Sequence, residues 1–227
     1  MVIGMTQHRA LWRVRLVAAL LVALTALAGT AYAADPISRE QALRNLQSPQ
    51  AAVRQSAVAR LAEVGRLQDA AALLPRLKDA DADVRESAEI ALWAVWSRSG
   101  DAKIDALLAR GTLAMNTGQF EQALQAFDQV VRQKPEFAEG WNKRATLYFL
   151  VGETAKSLAD CGEVIKRNPN HFGALSGYGQ LYMQLGEPEK ALGYFERALA
   201  INPGMPGVAA NLEILKHGLE QKRRRMI

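Results

Sequence analysis

The sequence predicts an all-α chain, an α-α superhelical solenoid, and three observations carry that expectation. A proline recurs every 34 residues at Pro135, Pro169 and Pro203, and a glycine 17 residues ahead of each keeps step at Gly118, Gly152 and Gly186. Upstream, a second self-similarity at an offset of 31 pairs Leu43 with Leu74, Leu46 with Leu77, Val53-Arg54 with Val84-Arg85, Ser56 with Ser87, Ala57 with Ala88 and Leu61 with Leu92. The chain is rich in Ala, Leu, Glu and Arg and poor in strand-like alternation, so helices are the expected elements. Fixed periods of this size mark stacked helical hairpins, each with too little apolar surface to be stable alone.

The first 33 residues stand apart from that fold. Arg9, Arg13 and Arg15 precede an uncharged apolar run from Leu16 to Ala28, the layout of a secretory signal. Gly29 breaks the run, and Ala31-Tyr32-Ala33 supplies the pattern cut by signal peptidase, which makes Ala34 the expected mature start. The alternative is an uncleaved anchor, because no charge appears between Leu16 and Ala34, a stretch close to the ~20 residues that span a bilayer. Either way the basic flank holds that end in the cytoplasm and sends the rest across. The expected location is the cell envelope, as a periplasmic protein or as one tied to the inner membrane.

Residues 37–99 read as two helical hairpins, 37–66 and 67–99. Asp79, Asp81 and Asp83 stand ahead of Val84-Arg85, where an acid caps the second helix and the arginine pairs with a neighbouring turn's acid. This pattern is similar to short HEAT repeats, the kind also found in phycobilisome lyases. Trp93 and Trp96 stand where the first hairpin has Ala62 and Gly65. They are expected to fill a joint near residue 100, where one repeat geometry meets the other.

Residues 104–205 divide without a gap into 104–137, 138–171 and 172–205. The first unit carries Gly111, Gly118, Ala123, Phe127 and Pro135; the second carries Trp141, Tyr148, Gly152 and Pro169; the third carries Gly179, Tyr182, Gly186, Ala191, Phe195, Ala198 and Pro203. In this the stretch resembles the tetratricopeptide repeat (TPR) family, in which small residues let helix A approach helix B and aromatics fill the space beside them. The departures are Ala114 in place of an aromatic, and Ser157 and Cys161 in place of an alanine and an aromatic, which are expected to loosen the middle unit.

After Pro206, the spacing of Val208, Leu212, Leu215 and Leu219 gives one apolar helical face. Residues 206–221 are therefore expected to form the capping helix that covers the last core face, followed by a basic tail at 222–227. The whole chain carries a formal charge of +5, but residues 1–33 hold three arginines and no acid. That leaves +2 for the rest, to which Lys222, Arg223, Arg224 and Arg225 contribute +4, so the folded part without them is slightly acidic at −2. Those cations either touch an anionic membrane surface or simply favour the negative end of a helix dipole.

Catalytic residues are not expected. His171 and His217 lie on different units with no partner at ligand spacing, and the third histidine, His8, is in the leader, so no metal or other cofactor is implied. Cys161 is the only cysteine, which excludes an intramolecular disulfide, and it falls at a core position of a B helix. Asp79, Asp81 and Asp83 lack the Gly and Glu of a calcium loop. Gly173, Gly177 and Gly179 lie inside a helical pattern rather than a phosphate loop. Nucleic acid is excluded as a partner because no basic stripe with interleaved aromatics occurs outside the tail. The one enzymatic alternative, chromophore handling as in the lyases, comes from the HEAT resemblance alone and fits poorly with export.

A protein or peptide partner of unknown identity is the remaining expectation. The TPR resemblance implies a concave groove made by helix A at unit positions two, five, nine, twelve and thirteen. Carried over, these are Asp105, Leu108, Thr112, Met115 and Asn116; Glu139, Asn142, Thr146, Phe149 and Leu150; and Gly173, Ser176, Gln180, Met183 and Gln184. Amides and hydroxyls among them suit a peptide backbone, and Met and Phe offer adaptable apolar contact. Relatives that grip a terminal carboxylate use Lys and Arg at positions five and nine; Leu108, Thr112, Ser176 and Gln180 stand there, so such a clamp is not expected.

Overall fold

The computed structural model describes residues 36–225, all of its regular elements helical. The expected leader, its cleavage site and Ala34 lie outside the described residues. From Ile37 onward the chain packs as one unit.

The first hairpin joins α1 (Arg39–Asn45) to α2 (Ala51–Val64). Ser38 caps α1 by accepting from the Gln41 N–H at 3.1 Å. In the second hairpin the expected first helix is broken: α3 (Ala70–Leu73) is a single turn between 3-10 segments Leu67–Asp69 and Leu74–Lys78. Pro75 accounts for the break, since it offers no N–H to the preceding turn. The second helix, α4 (Ala82–Trp96), is capped as expected, Asp81 accepting from Asp83 N at 3.0 Å and Val84 N at 3.1 Å. Arg85 itself donates to the Asp79 and Ala80 carbonyls at 2.7 and 3.0 Å rather than to an acid. The arginine–acid pair is made by its repeat counterpart Arg54 of α2, which donates from Nε to Asp79 at 2.8 Å.

Three regular hairpins follow: α5 (Ala102–Asn116) with α6 (Phe120–Gln133), α7 (Ala138–Leu150) with α8 (Thr154–Arg167), and α9 (Phe172–Gln184) with α10 (Pro188–Ile201). Each turns at a glycine in the left-handed region, Gly118, Gly152 and Gly186, with φ of 75°, 78° and 69°. The same bond closes all three, from Gln119 N to Ala114 O (2.8 Å), Glu153 N to Tyr148 O (2.8 Å) and Glu187 N to Tyr182 O (2.9 Å). That is a Schellman closure, and it explains why the glycine recurs. Gly111 lies against Phe127 and Gly179 against Phe195, so close that a Cβ at either would strike the ring. Arg144 ties the units laterally, donating to Asp128 of α6 at 2.7 Å and to Asp160 of α8 at 2.7 and 2.8 Å.

The last helix, α11 (Pro206–Arg225), buries Val208, Leu212 and Leu215 against α10. It runs past the expected end at Gln221, so Lys222, Arg223, Arg224 and Arg225 form its exposed last turn rather than a separate tail. Among the described residues, Lys222 alone of these cations lies within 4.0 Å of an acid, Glu189.

The joint after α4 differs from expectation in what fills it. Residues 97–101 form a short connector in which Ser99 N donates to Asp105 at 2.7 Å and Asp101 caps α5. The tryptophans do not pack there. They point to the start of α9, where Trp96 stacks on His171 (centroids 4.5 Å, planes 20° apart) and Trp93 meets Phe172 edge-on at 5.3 Å. Phe172 is fully buried in the core of the first two hairpins, and Asn202, just after α10, donates to Glu89 of α4 at 2.9 Å. The array therefore curls until its beginning rests on its third unit. Gly173 makes the approach possible, because the Trp93 ring occupies the space a Cβ would take.

Candidate functional site

The helix-A positions of units two and three converge on a cleft of about 200 Å³ between α7 and α9. Asn142, Thr146 and Phe149 form one wall and Gly173, Ser176, Gly177 and Gln180 the other. Ala145, Ser157 and Cys161 form the deep end, and Met205 closes the side toward the first hairpins. No Asp, Glu, Lys, Arg or His lines it.

The interior of the cleft is chemically quiet. Ser157 donates its hydroxyl to the Ala145 carbonyl at 2.8 Å, so it is spent within the protein. The Cys161 thiol is pushed up to about 12, first by burial and then by neighbouring Asp160, and stays protonated. At the rim, Gln180 is exposed, and Thr146 is exposed but donates its hydroxyl back to the Asn142 carbonyl at 2.9 Å, which leaves only its acceptor side to meet a ligand.

The other expected groove residues fare differently. Leu150, Gln184 and Asn116 are exposed at the turn end, Met115 and Met183 pack partly into their own units, and Thr112 bonds back to the Leu108 carbonyl at 2.8 Å. Asp105 is engaged by Ser99. Two expectations need correction. Leu108 is a core residue of unit one, 4% exposed, because its side chain meets the interior rather than the concave face. Glu139, 1% exposed, is covered by His171, the cap of α9.

Glu139 instead anchors a buried polar network. His171 caps α9 by accepting from Ala174 N at Nδ1 (3.1 Å), which puts the ring proton on Nε2, 3.0 Å from the Glu139 carboxylate. Asn142 donates to the same carboxylate at 3.2 Å, and Lys143 lies 3.3 Å away. Burial works to raise the Glu139 carboxyl, but the donation from His171, the charge of Lys143 and the Asn142 amide outweigh it and hold the group below its ordinary range. The network joins the cleft wall at Asn142 to Trp96, stacked on the other side of His171. Sequence reasoning missed it because Glu139 and His171 are 32 residues apart, at opposite ends of unit two, and meet only when the cap of α9 folds back onto α7.

Two family models described as tetratricopeptide repeat match the chain, one over residues 108–161 and one over residues 172–205. The chain carries tetratricopeptide repeats. A TPR repeat-containing protein from Rhizobium etli is 36% identical over 85 residues, 37% of this chain and 41% of that relative. The chain thus matches about two fifths of the relative's length. Among solved structures, the first TPR of Spaghetti (RPAP3) bound to HSP90 peptide SRMEEVD aligns with a TM-score of 0.51 at 21% identity, over 53% of this chain and 96% of that one. The Sgt2 TPR domain from Aspergillus fumigatus aligns with a TM-score of 0.51 at 21% identity, over 55% and 83%. At such identities the likeness speaks for the fold, an all-helical TPR solenoid. Among the described residues no group of three or more His, Cys, Asp or Glu could hold a metal ion, and no helix is long and apolar enough to cross a membrane.

Proposed function

We propose that this protein is an exported TPR adaptor or assembly factor of the cell envelope that binds a protein segment in the cleft between α7 and α9. The observation that carries the reading is the cleft itself, with the Gln180 amide and the acceptor side of the Thr146 hydroxyl at its mouth and apolar surface inside. The Spaghetti repeats hold a peptide with several acidic residues. Here the cleft has no cation to meet such a ligand, so a neutral segment, extended or helical, fits better. Residues 37–99 serve in this reading as two HEAT-like hairpins that brace the third unit. The exposed basic turn of α11 offers a second, electrostatic contact with anionic lipid.

The test is to place a photo-crosslinking residue at Gln184 and compare the envelope proteins captured by the wild type and by a Thr146→Arg, Gln180→Arg variant. Both substituted positions are exposed, so helicity stays unchanged. Loss of the principal crosslinked species is expected, and an identical set in both forms rules out the cleft. Export is tested separately by the mass of the protein recovered from cells: an N-terminus at Ala34 is expected, and retention of residues 1–33 supports the anchored alternative.

A further inference from the structure

The cleft lies where the second repeat lacks the aromatic that its neighbours have. Phe127 in unit one and Phe195 in unit three occupy the same repeat position, and each is fully buried against a glycine of its own A helix, Gly111 and Gly179. The matching residues of unit two are Cys161 and Ala145. An alanine methyl replaces much less volume than a phenyl ring provides, so unit two is underfilled at its centre. The structure leaves that space open to the concave face rather than collapsing it, although Phe149, Leu158 and Tyr178 pack around it.

We infer that this opening is a pocket for one uncharged, phenyl-sized side chain of the bound segment, which takes the place of the missing repeat aromatic. The inference rests on the cleft being the binding site and names what enters it. Size agrees: an apolar cavity of ~150 Å³ is enough to hold benzene, and this one measures about 200 Å³. It is too small for a whole drug-sized ligand, for which ~300 Å³ or more is usual. Chemistry agrees as well, since Ala145, Leu181, Gly177 and the protonated Cys161 offer no charge and the Ser157 hydroxyl already has its acceptor. A carboxylate or ammonium group would lose its hydration there without gaining a partner.

Toluene serves as the probe, titrated into the full chain while thermal unfolding is followed. The wild type is expected to show an unfolding midpoint that rises with toluene concentration. Cys161→Phe restores the repeat aromatic and fills the space, so its midpoint should not respond. Gly177→Leu closes the pocket from the other wall, where a Cβ would sit 3.7 Å from the Cys161 sulfur, and serves if the first variant does not fold. No response in the wild type, or an equal response in a folded filled variant, overturns the pocket while leaving the rim crosslinking test of the cleft intact. Where toluene does bind, the crosslinking experiment is repeated with the filled variant. Loss of the captured species is expected, and unchanged capture means the ligand does not use the pocket, which overturns the inference.

Discussion

Trp96 of the second hairpin and His171, the last residue of unit two and the cap of α9, stack with centroids 4.5 Å apart, and this contact closes the array on itself. Trp96 is 3% exposed and also touches Phe172 at 5.1 Å, so its ring belongs to both parts at once. Replacing it with alanine should cost about 3–5 kcal/mol, the range for a buried aromatic. Urea unfolding gives the size of the loss, and limited proteolysis its location. Cleavage should rise both in residues 37–99 and around the entry to α9, whereas a loss under about 1 kcal/mol would mean that the two parts are held together elsewhere. Leu113→Ala, at a site 66% exposed, is the control and should stay within about 0.5 kcal/mol.

Glu139 should leave a mark on the pH dependence of stability. Its folded-state carboxyl lies below the ordinary value of 4.5, so above that value the group contributes its full stabilisation. As pH falls below it, the unfolded chain takes up the proton first and stability drops until the folded carboxyl is protonated too. Glu139→Gln lowers stability at neutral pH, because the amide cannot accept from His171, Asn142 and Lys143 as a carboxylate does. It should also flatten the acid limb. The check is a set of urea midpoints between neutral pH and the acid side of 4.5 for both proteins, and parallel curves would remove Glu139 from the account.

What was legible in the sequence follows from which forces are local. The glycine and proline beat marks helix ends because left-handed turns and missing N–H groups act within a few residues, and α5 to α10 begin and end accordingly. The departures at Ser157 and Cys161 were legible too, but only as a weakness of unit two. That the deficit opens toward α9 depends on Ala174, Gly177 and Met205, which arrive from the next unit. Position within helix A was an incomplete guide to the groove because it tells which way Glu139 points, not that His171, 32 residues on, folds back to cover it. The tryptophans read correctly as core residues, yet their partners lie two units further along the chain than the joint they were expected to fill.

Two glycines of the third unit should respond to alanine in opposite directions. Gly179 faces Phe195 so closely that a methyl group displaces the ring, and overpacking of this kind costs about 1–3 kcal/mol. Gly193, in the middle of α10, has nothing within 4 Å of a Cβ. Its replacement removes only the entropic penalty of glycine in a helix and should stabilise by about 0.5–1 kcal/mol. Thermal unfolding of the two variants beside the wild type decides the matter. A shared sign would mean that helix propensity, or packing, alone governs the unit.

Cys161 should be a sensor of unfolding rather than a reactive group. Burial, then the charge of Asp160, pushes its thiol up to about 12, so at pH 8 the reactive thiolate is scarce even though the cleft leads toward it. An ordinary exposed cysteine near 8.5 is substantially ionised at that pH. Iodoacetamide at pH 8 should therefore alkylate the native protein at least tenfold more slowly than the urea-unfolded chain, as read from the mass of the intact protein over time. Equal rates in the two states would show that the thiol is open to solvent. The floor of the cleft would then be wetter than its lining residues imply.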